Sequence, residues 1–150
     1  MTLLIRRATA EDQPQIHSLA RGEKIKPIGL DWPKVMVAES DGKIIGAVQL
    51  RNHPDGSREL GSLVVAAEFR GRGVAAQLID RRLADASGRV LVITGGAHAD
   101  YYGRWGFRRI SPNAAPLFVC LNYWMGYLGG GLFALLRRRT VNHLAVLERV

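Results

Sequence analysis

The stretch that most constrains this chain runs from Leu63 to Asp80, where an apolar run, a glycine turn and a helical pattern follow one another. The run Leu63-Val64-Val65 is rich in β-branched residues and predicts a strand. Val74, Leu78 and Leu83 then recur at helical spacing and predict a helix. The stretch therefore reads as strand, turn, helix.

The turn itself, Arg70-Gly71-Arg72-Gly73, predicts an anion site. Glycines let the backbone approach a phosphate closely, the first helical N–H groups lack internal partners, and the helix dipole favours negative charge. The two arginines add positive charge, and their guanidinium groups suit phosphate oxygens.

Two familiar phosphate-binding signatures do not account for this turn. A P-loop requires Lys-Ser/Thr after its second glycine, and Val74-Ala75 stands there instead. A dinucleotide fingerprint fits Gly71, Gly73 and Ala76, but it also requires an acidic residue after the next strand. That strand is followed by Thr94-Gly95-Gly96, which offers no carboxylate.

A third signature does fit the turn. Arg70, Gly73 and Ala75 match the pattern Q/R-x-x-G-x-G/A, and the acidic-aromatic pair Glu68-Phe69 precedes them. Here the chain resembles the GNAT superfamily of acyl-CoA-dependent N-acyltransferases, in which the amides of this loop hold the pyrophosphate of coenzyme A. The resemblance implies acetyl-CoA as cosubstrate and nine coenzyme-binding residues: Leu63, Val64, Val65, Arg70, Gly71, Arg72, Gly73, Val74 and Ala75.

A second motif extends the resemblance. The stretch from Gly95 to Phe107 is similar to the family's alanine-x-x-aromatic-Tyr-x-x-x-Gly-Phe motif. Tyr101 lies at its aromatic position, and Tyr102 lies at the tyrosine that commonly stands beside the coenzyme's sulfur. The two motifs have the expected order and separation, so the resemblance spans residues 3–107.

The expected fold is a single α/β domain over residues 1–150, with a central mixed, mostly antiparallel sheet flanked by helices. At 150 residues and 47% hydrophobic content, the chain can bury one core. The order of elements is also the one the resembled family uses, and the segment 143–149 predicts the closing strand.

Local signals place several of these elements. Thr9 and Asp12 form a candidate capping box before the first helix. The Asp41-Gly42 pair predicts a tight hairpin between strands 35–39 and 43–50. In the loop between residues 21 and 34, the apolar side chains either line an acceptor pocket or pack in the core, with equal support for both; they are Ile28, Leu30 and Trp32.

Charge and cysteine content narrow the function classes. The net charge of +8 suits coenzyme A, but it also suits nucleic acid or an acidic membrane. The sequence contains no helix-turn-helix, zinc-ligand spacing or aromatic-basic strand pair, which argues against nucleic acid and a metal site. A single cysteine, Cys120, excludes an internal disulfide and favours the cytoplasm, and residues 1–7 do not read as a signal peptide.

Amine acetylation requires a neutral amine, a polarised thioester carbonyl and a proton donor for the departing thiolate, with no covalent enzyme intermediate. Tyr102 is the candidate general acid, against the alternative of a buried structural tyrosine. By the resemblance, the backbone of residues 63–65 pairs with pantetheine, and the Val65 N–H polarises the carbonyl.

The base is less constrained by the sequence. Glu59, on the strand that leads into the coenzyme site, is the first candidate to take the amine's proton, directly or through water. Glu39 is the second and His98 the third. Each also has a purely structural interpretation, and family members often use water chains instead.

The segment 114–136 departs from a minimal family member because it contains no charged residue and is followed by three arginines, 137–139. Pro116, Asn122 and the glycine triplet 129–131 predict two short helices, or a helix and a loop. Packing on the domain, or a homodimer face, is favoured over membrane contact, and a membrane span is least favoured.

The sequence thus predicts an N-acetyltransferase that moves an acetyl group from acetyl-CoA to a primary amine of a small molecule or protein. The alternative is a catalytically weak module that binds acyl-CoA and uses the segment 114–136 for a partner or membrane. The acceptor is not identified by any motif.

Overall fold

The computed structural model describes residues 2–27, 29–137 and 144–150. Seven strands lie within these ranges: β1 (Leu3–Arg7), β2 (Val35–Ser40), β3 (Lys43–Asn52), β4 (Arg58–Val65), β5 (Val90–Gly95), β6 (Arg108–Ile110) and β7 (Leu144–Arg149). The α-helices are α1 (Gln13–Gly22), α2 (Val74–Ala84) and α3 (Leu117–Arg137). Short 3-10 helices span Ala10–Asp12, Trp32–Lys34, Ala67–Phe69, Gly96–Trp105 and Pro112–Ala114.

The chain divides into two compact units. The first unit comprises residues 1–51 and 60–87, and the second comprises residues 52–59 and 88–150. Strand order is β1-β2-β3-β4 in the first and β5-β7-β6 in the second. The pairs β1–β2, β2–β3, β5–β7 and β6–β7 are all antiparallel. The predicted fold class, α/β with a mostly antiparallel sheet and flanking helices, is confirmed; that residues 1–150 form one domain stays a prediction.

Two local predictions in the first unit are confirmed. The Thr9 backbone N–H donates to Asp12 Oδ2 at 2.7 Å, which completes the capping box ahead of α1. Asp41 and Gly42 both have positive φ, +51° and +77°, as the tight turn between β2 and β3 requires.

The loop before β2 contributes one apolar side chain to the core of the first unit. Leu30 is fully buried and packs with Ile16, Val37 and Ala47, so its role there is packing. Trp32 is 39% exposed, and its backbone N–H donates to Gln13 Oε1 at 2.8 Å. Ile28 lies outside the described residues.

The prediction that the segment 114–136 forms two short helices, or a helix and a loop, is wrong. A single 21-residue helix replaces the expected two short helices or helix and loop. Pro116 precedes the first helical residue and so costs no helical hydrogen bond. A glycine in a helix interior costs only about 1 kcal/mol relative to alanine. Burial of Val119 and Tyr123 against Leu91 and Val146 stabilises the helix.

The structure describes the chain up to the end of α3 and again from the start of β7. Arg138, Arg139 and His143 lie outside the described residues, and β7 begins at Leu144. Gly126 of α3 lies close to β7, because a Cβ atom there would be 3.3 Å from Leu144 Cδ1. In the part of the chain that the structure describes, no helix is both long and apolar enough to cross a membrane.

An ion-pair cluster fixes β1 against the start of α1. The Arg6 guanidinium donates to both carboxylate oxygens of Asp12, at 2.7 and 2.9 Å, and to Glu39 at 2.8 Å. The hydrogen bond from Arg6 is the main cause that lowers the pKa of Asp12 to about 2, against an opposing effect of burial.

Asp12 should therefore make the fold sensitive to acid. Because the pKa of Asp12 is lower in the folded state, its contribution is present above about pH 4 and is lost as the pH falls through about 2. We expect the free energy of unfolding to fall by about 2 kcal/mol over this range, and Asp12→Asn to remove that part of the loss. Urea unfolding at several pH values measures it.

The matched control is Asp31→Asn. The Asp31 carboxylate is 60% exposed, and its oxygen lies 3.8 Å from Lys34 Nζ, so its removal should leave the acid-induced loss as in wild type. If Asp12→Asn loses as much stability in acid as wild type does, Asp12 is not the responsible carboxylate.

Candidate active site

The turn between β4 and α2 has the backbone conformation that the sequence predicts. Gly71 and Gly73 have φ of +72° and +75°, in the left-handed region that side chains disfavour. A Cβ atom on either glycine would meet no atom within 4 Å, so both face open space. Gly73 is the N-cap of α2, which leaves the N–H groups of the first helical turn available to an anion.

Arg70 is held by its own unit. Its Nε donates to the Val65 carbonyl oxygen at 3.1 Å, and its guanidinium pairs with the Glu23 carboxylate. Glu23 also accepts a hydrogen bond from the Ala67 N–H at 3.0 Å. Sequence reasoning missed Glu23, because nothing in the loop after α1 signals a contact 47 residues away. The side chain of Arg70 thus braces the turn.

The strand that leads into this turn has an irregular backbone. Ser62 has φ of +50°, which is unusual for a residue other than glycine, and its hydroxyl accepts a hydrogen bond from buried Gln49 at 2.8 Å. The distortion lies directly before Leu63, Val64 and Val65. Such irregularities in strands are concentrated at functional sites.

Tyr102 lies in the 3-10 segment after β5, within the second unit. Its ring is buried and makes edge contacts with Tyr101 and Phe107, at centroid distances of 5.8 and 5.9 Å, and a tilted contact with Trp105 at 6.3 Å. Burial is the main cause that raises the pKa of Tyr102 to about 12, with a smaller effect of Tyr101. The phenol therefore keeps its proton throughout the neutral range.

Glu59 is also in the second unit and is only 3% exposed. Its Oε2 lies 2.8 Å from His53 Nε2 and accepts a hydrogen bond from Asn122 Nδ2 at 3.1 Å. The sequence does not single out His53. It predicts Asn122 as an interruption of the helix, whereas in the structure Asn122 is part of α3 and donates a hydrogen bond to Glu59.

The other two base candidates lie elsewhere. Glu39 of the first unit accepts from Arg6 Nε at 2.8 Å, in the cluster that fixes β1. His98 of the second unit is exposed, in the 3-10 segment that carries Tyr102. Within the described residues, no group of three His, Cys, Asp or Glu side chains could hold a metal ion.

The candidate residues are therefore divided between the units. The first unit holds the turn 70–75 and the three strand residues before it, and the second holds Tyr102, Glu59 and His53. A family model described as an acetyltransferase (GNAT) domain matches residues 31–109, slightly more than half of the chain. The chain belongs to the GNAT acetyltransferase family. The match covers both motifs, and a search of curated proteins finds no match.

Solved structures of this family share the fold. N-acetylglutamate synthase from Neisseria gonorrhoeae, complexed with coenzyme A and N-acetyl-glutamate, matches with a TM-score of 0.72 and 18% identity over 99% of this chain. This chain spans only 35% of that enzyme. Rv2747 from Mycobacterium tuberculosis, solved with CoA, matches with a TM-score of 0.72 and 22% identity over 98% of each chain.

A third structure is Naa50 from Arabidopsis thaliana, in complex with a bisubstrate analogue. It matches with a TM-score of 0.67 and 12% identity over 100% of this chain and 99% of that chain. The predicted family is thus confirmed, and so is the class of reaction, acetyl transfer from acetyl-CoA to an amine. The residues that carry the reaction stay predictions.

The left-handed glycines allow a matched test of the phosphate turn. Gly73→Ala introduces a Cβ at φ of +75° facing the predicted pyrophosphate, whereas Gly42→Ala introduces one at φ of +77° in the β2–β3 hairpin. Each should cost about 1–2 kcal/mol of stability. Only Gly73→Ala should also raise the Kd for acetyl-CoA, by about tenfold or more.

Calorimetric titration with acetyl-CoA, together with thermal melts of both variants, measures the two effects. Equal weakening of acetyl-CoA binding in both variants would mean that the effect is general strain, and the turn would lose its assignment.

Proposed function

We propose that this chain transfers the acetyl group of acetyl-CoA to a primary amine by direct attack in a ternary complex. The observation that carries the proposal is the turn 70–75, in which left-handed Gly73 stands at the glycine of the pattern Q/R-x-x-G-x-G/A and a second left-handed glycine, Gly71, comes two residues before it. The candidate residues divide into those that bind the coenzyme and those that move protons.

The coenzyme-binding part of the proposal uses backbone groups. The amides from Gly71 to Ala75 hold the pyrophosphate, where the glycines allow close approach and the start of α2 supplies a favourable dipole. The Arg70 N–H is already used, because it donates to the Ala67 carbonyl at 3.3 Å. The side chain of Arg72 adds charge, and its guanidinium carbon lies 5.5 Å from the centre of the Phe69 ring. The backbone of Leu63, Val64 and Val65 pairs with pantetheine, and the Val65 N–H polarises the thioester carbonyl.

Tyr102 donates a proton to the departing thiolate. Because burial raises the pKa of Tyr102 to about 12, the hydroxyl is fully protonated whenever sulfur leaves. A phenol with this pKa is a weaker acid than a thiol, so net transfer requires that Tyr102 regain a proton from the attacking nitrogen in the same step. The raised pKa also predicts no loss of activity through ionisation of Tyr102 below about pH 11.

The base in this proposal includes Glu59. Its carboxylate is buried beside His53, and such a pair can take a proton from the acceptor amine directly or through a water molecule. The sequence-based candidate is therefore kept, but as one member of a pair.

The acceptor stays open between a small molecule and a protein. The structure of the Neisseria enzyme includes N-acetyl-glutamate, and that of the Arabidopsis protein includes a bisubstrate analogue. Both are less than 25% identical to this chain, so neither acceptor is carried over.

A cytoplasmic location, based on the single Cys120, stays a prediction.

The role of Tyr102 is tested with its isostere. Tyr102→Phe should lower kcat about 100-fold, because it removes a proton donor, while the Kd for acetyl-CoA stays near the wild-type value. Release of free thiol over a panel of primary amines measures turnover. Tyr123→Phe is the matched control: its ring is also 8% exposed, and it should keep most of the activity.

Unaltered turnover in Tyr102→Phe would remove this residue from the mechanism. Absence of turnover with every amine, with acetyl-CoA bound normally, would instead favour the alternative of a catalytically weak binding module.

The binding module alternative assigns α3 to a partner or a membrane, and one observation concerns this segment: α3 has an exposed apolar face. The face consists of Leu117, Leu121, Trp124, Met125 and Leu128, which are 41–67% exposed. Their spacing places them along one stripe of the helix, and contiguous apolar patches of this kind mark interaction sites. We propose that this α3 apolar face is the contact between two copies of the chain.

The double substitution Leu121→Glu with Met125→Glu tests the contact, since two buried carboxylates would oppose it. We expect a dimeric wild type and a monomeric variant in sedimentation equilibrium, with little change in the melting temperature. Leu4→Glu, at a leucine that is 50% exposed outside this face, should stay dimeric. A monomeric wild type contradicts the dimer, and variant-sensitive binding to anionic vesicles would assign the face to membranes.

A further inference from the structure

A polar cluster in the second unit, arranged around the buried Glu59, lies outside both family motifs. It joins the turn after β3 to the first turns of α3, and its members are His53, Glu59, Asn122 and the ring of Phe118. The side chains of His53 and Glu59 are only 11% and 5% exposed. A buried histidine beside a carboxylate is a common arrangement for a group that moves protons.

The hydrogen bonds determine which nitrogen of His53 is available. An ionised carboxylate only accepts hydrogen bonds, so the 2.8 Å contact with Glu59 Oε2 requires the proton on His53 Nε2. Nδ1 of the neutral ring then carries the lone pair. Among the residues that the structure describes, no hydrogen bond to Nδ1 is present.

The ring of His53 is fixed in this orientation from a second side. It stacks on Phe118 with a centroid distance of 5.8 Å and an interplanar angle of 10°. Asp55, two residues along the turn, accepts the Phe118 backbone N–H at 3.1 Å and the Ser57 hydroxyl at 2.6 Å. The turn and α3 therefore hold the imidazole on both its face and its edge.

Glu59 itself is less suited to take the proton. Its Oε2 is already engaged, because it accepts hydrogen bonds from His53 and Asn122. An imidazole ordinarily changes charge between about pH 5 and 8, which suits proton transfer at neutral pH. Among the residues that the structure describes, the carboxylates of Glu59, at 2.8 Å from Nε2, and of Asp55 lie near His53.

We propose that His53 Nδ1 is the general base for the acceptor amine, and that Glu59 is a positioning residue that fixes the tautomer of His53. The inference rests on the proposed acetyl transfer and names the residue that deprotonates the acceptor in that reaction.

The reaction releases one proton to solvent and returns Tyr102 and His53 to their starting protonation states. An acceptor arriving as an ammonium ion gives one proton to His53 Nδ1, and its lone pair attacks the thioester carbonyl carbon to form the C–N bond. The C–S bond breaks, and the electron pair goes to sulfur, which takes a proton from Tyr102. The nitrogen loses its second proton, which returns to Tyr102 through water, and His53 releases the first proton to solvent.

The test compares pH profiles of kcat/KM between about pH 5 and 10. Wild type should show an acidic limb in the range where imidazoles titrate. His53→Gln keeps a hydrogen-bond donor for Glu59 but cannot take a proton, so it should lose this limb and about 100-fold of the rate at pH 7. Glu59→Gln should keep this limb, because His53 is still present, but its rate at pH 7 should fall, because a carboxamide can donate as well as accept and no longer fixes the tautomer of His53.

His17→Gln is the matched control for the substitution, at a histidine that contacts Gln13 and the Leu30 carbonyl, and it should keep the wild-type limb. Binding of acetyl-CoA, measured by calorimetry, shows that each variant is folded. Nitrogen NMR of the histidine rings in wild type should show the tautomer of His53 with its proton on Nε2.

A limb that survives in His53→Gln and disappears in Glu59→Gln would make Glu59 the base and overturn the inference. A His53 ring protonated on Nδ1 in its neutral form would overturn it too. If wild type acetylates no amine, the proposed function fails and the role of His53 fails with it, whereas turnover with an unchanged limb in His53→Gln removes only the role of His53.

Discussion

The backbone conformation of the turn between β4 and α2 is the constraint on which the rest of the first unit depends. Two left-handed residues separated by one position reverse the chain between a buried strand and a buried helix. Only glycine adopts this conformation at little cost, so Gly71 and Gly73 determine where α2 begins. The same geometry leaves the first N–H groups of α2 without helical partners, so the connection needed by the fold is also the proposed anion site.

Arg70 contributes less charge to this turn than the sequence suggests. Arg70 donates to the Val65 carbonyl and pairs with Glu23, so its guanidinium serves to hold the end of β4 near the end of α1. In the proposed site, much of the attraction for a pyrophosphate then comes from backbone amides and the helix dipole, which carry no net charge. The net charge of +8 describes the whole chain and says little about this site.

Local signals were sufficient to predict most of the first unit. The capping box of Thr9 and Asp12, the Asp41-Gly42 turn and the glycines before α2 each act over a few residues, so the sequence shows them directly. The contact between Glu23 and Arg70 could not be predicted, because it depends on how α1 and β4 pack. The same holds for Glu59 and Asn122, which are 63 residues apart.

The helix α3 shows why propensity alone was misleading. Its asparagine and glycines weaken a helix by small amounts that a buried apolar face offsets, and the sequence does not reveal that face without the fold. Because the helix is continuous, Asn122 lies within hydrogen-bond distance of Glu59, and Phe118 stacks on His53. A residue that looked like a break in the helix is therefore one of the groups that satisfy a buried carboxylate.

Burial of Glu59 is costly unless its oxygens are paired, and this requirement links the turn after β3 with α3. The side chains that satisfy Glu59 are His53 and Asn122, and Phe118 stacks on the same imidazole. A cluster needed only for stability could use an apolar side chain in place of Glu59 with little loss. A buried carboxylate directed at one nitrogen of a histidine therefore fits the proposed proton transfer better than a purely structural role.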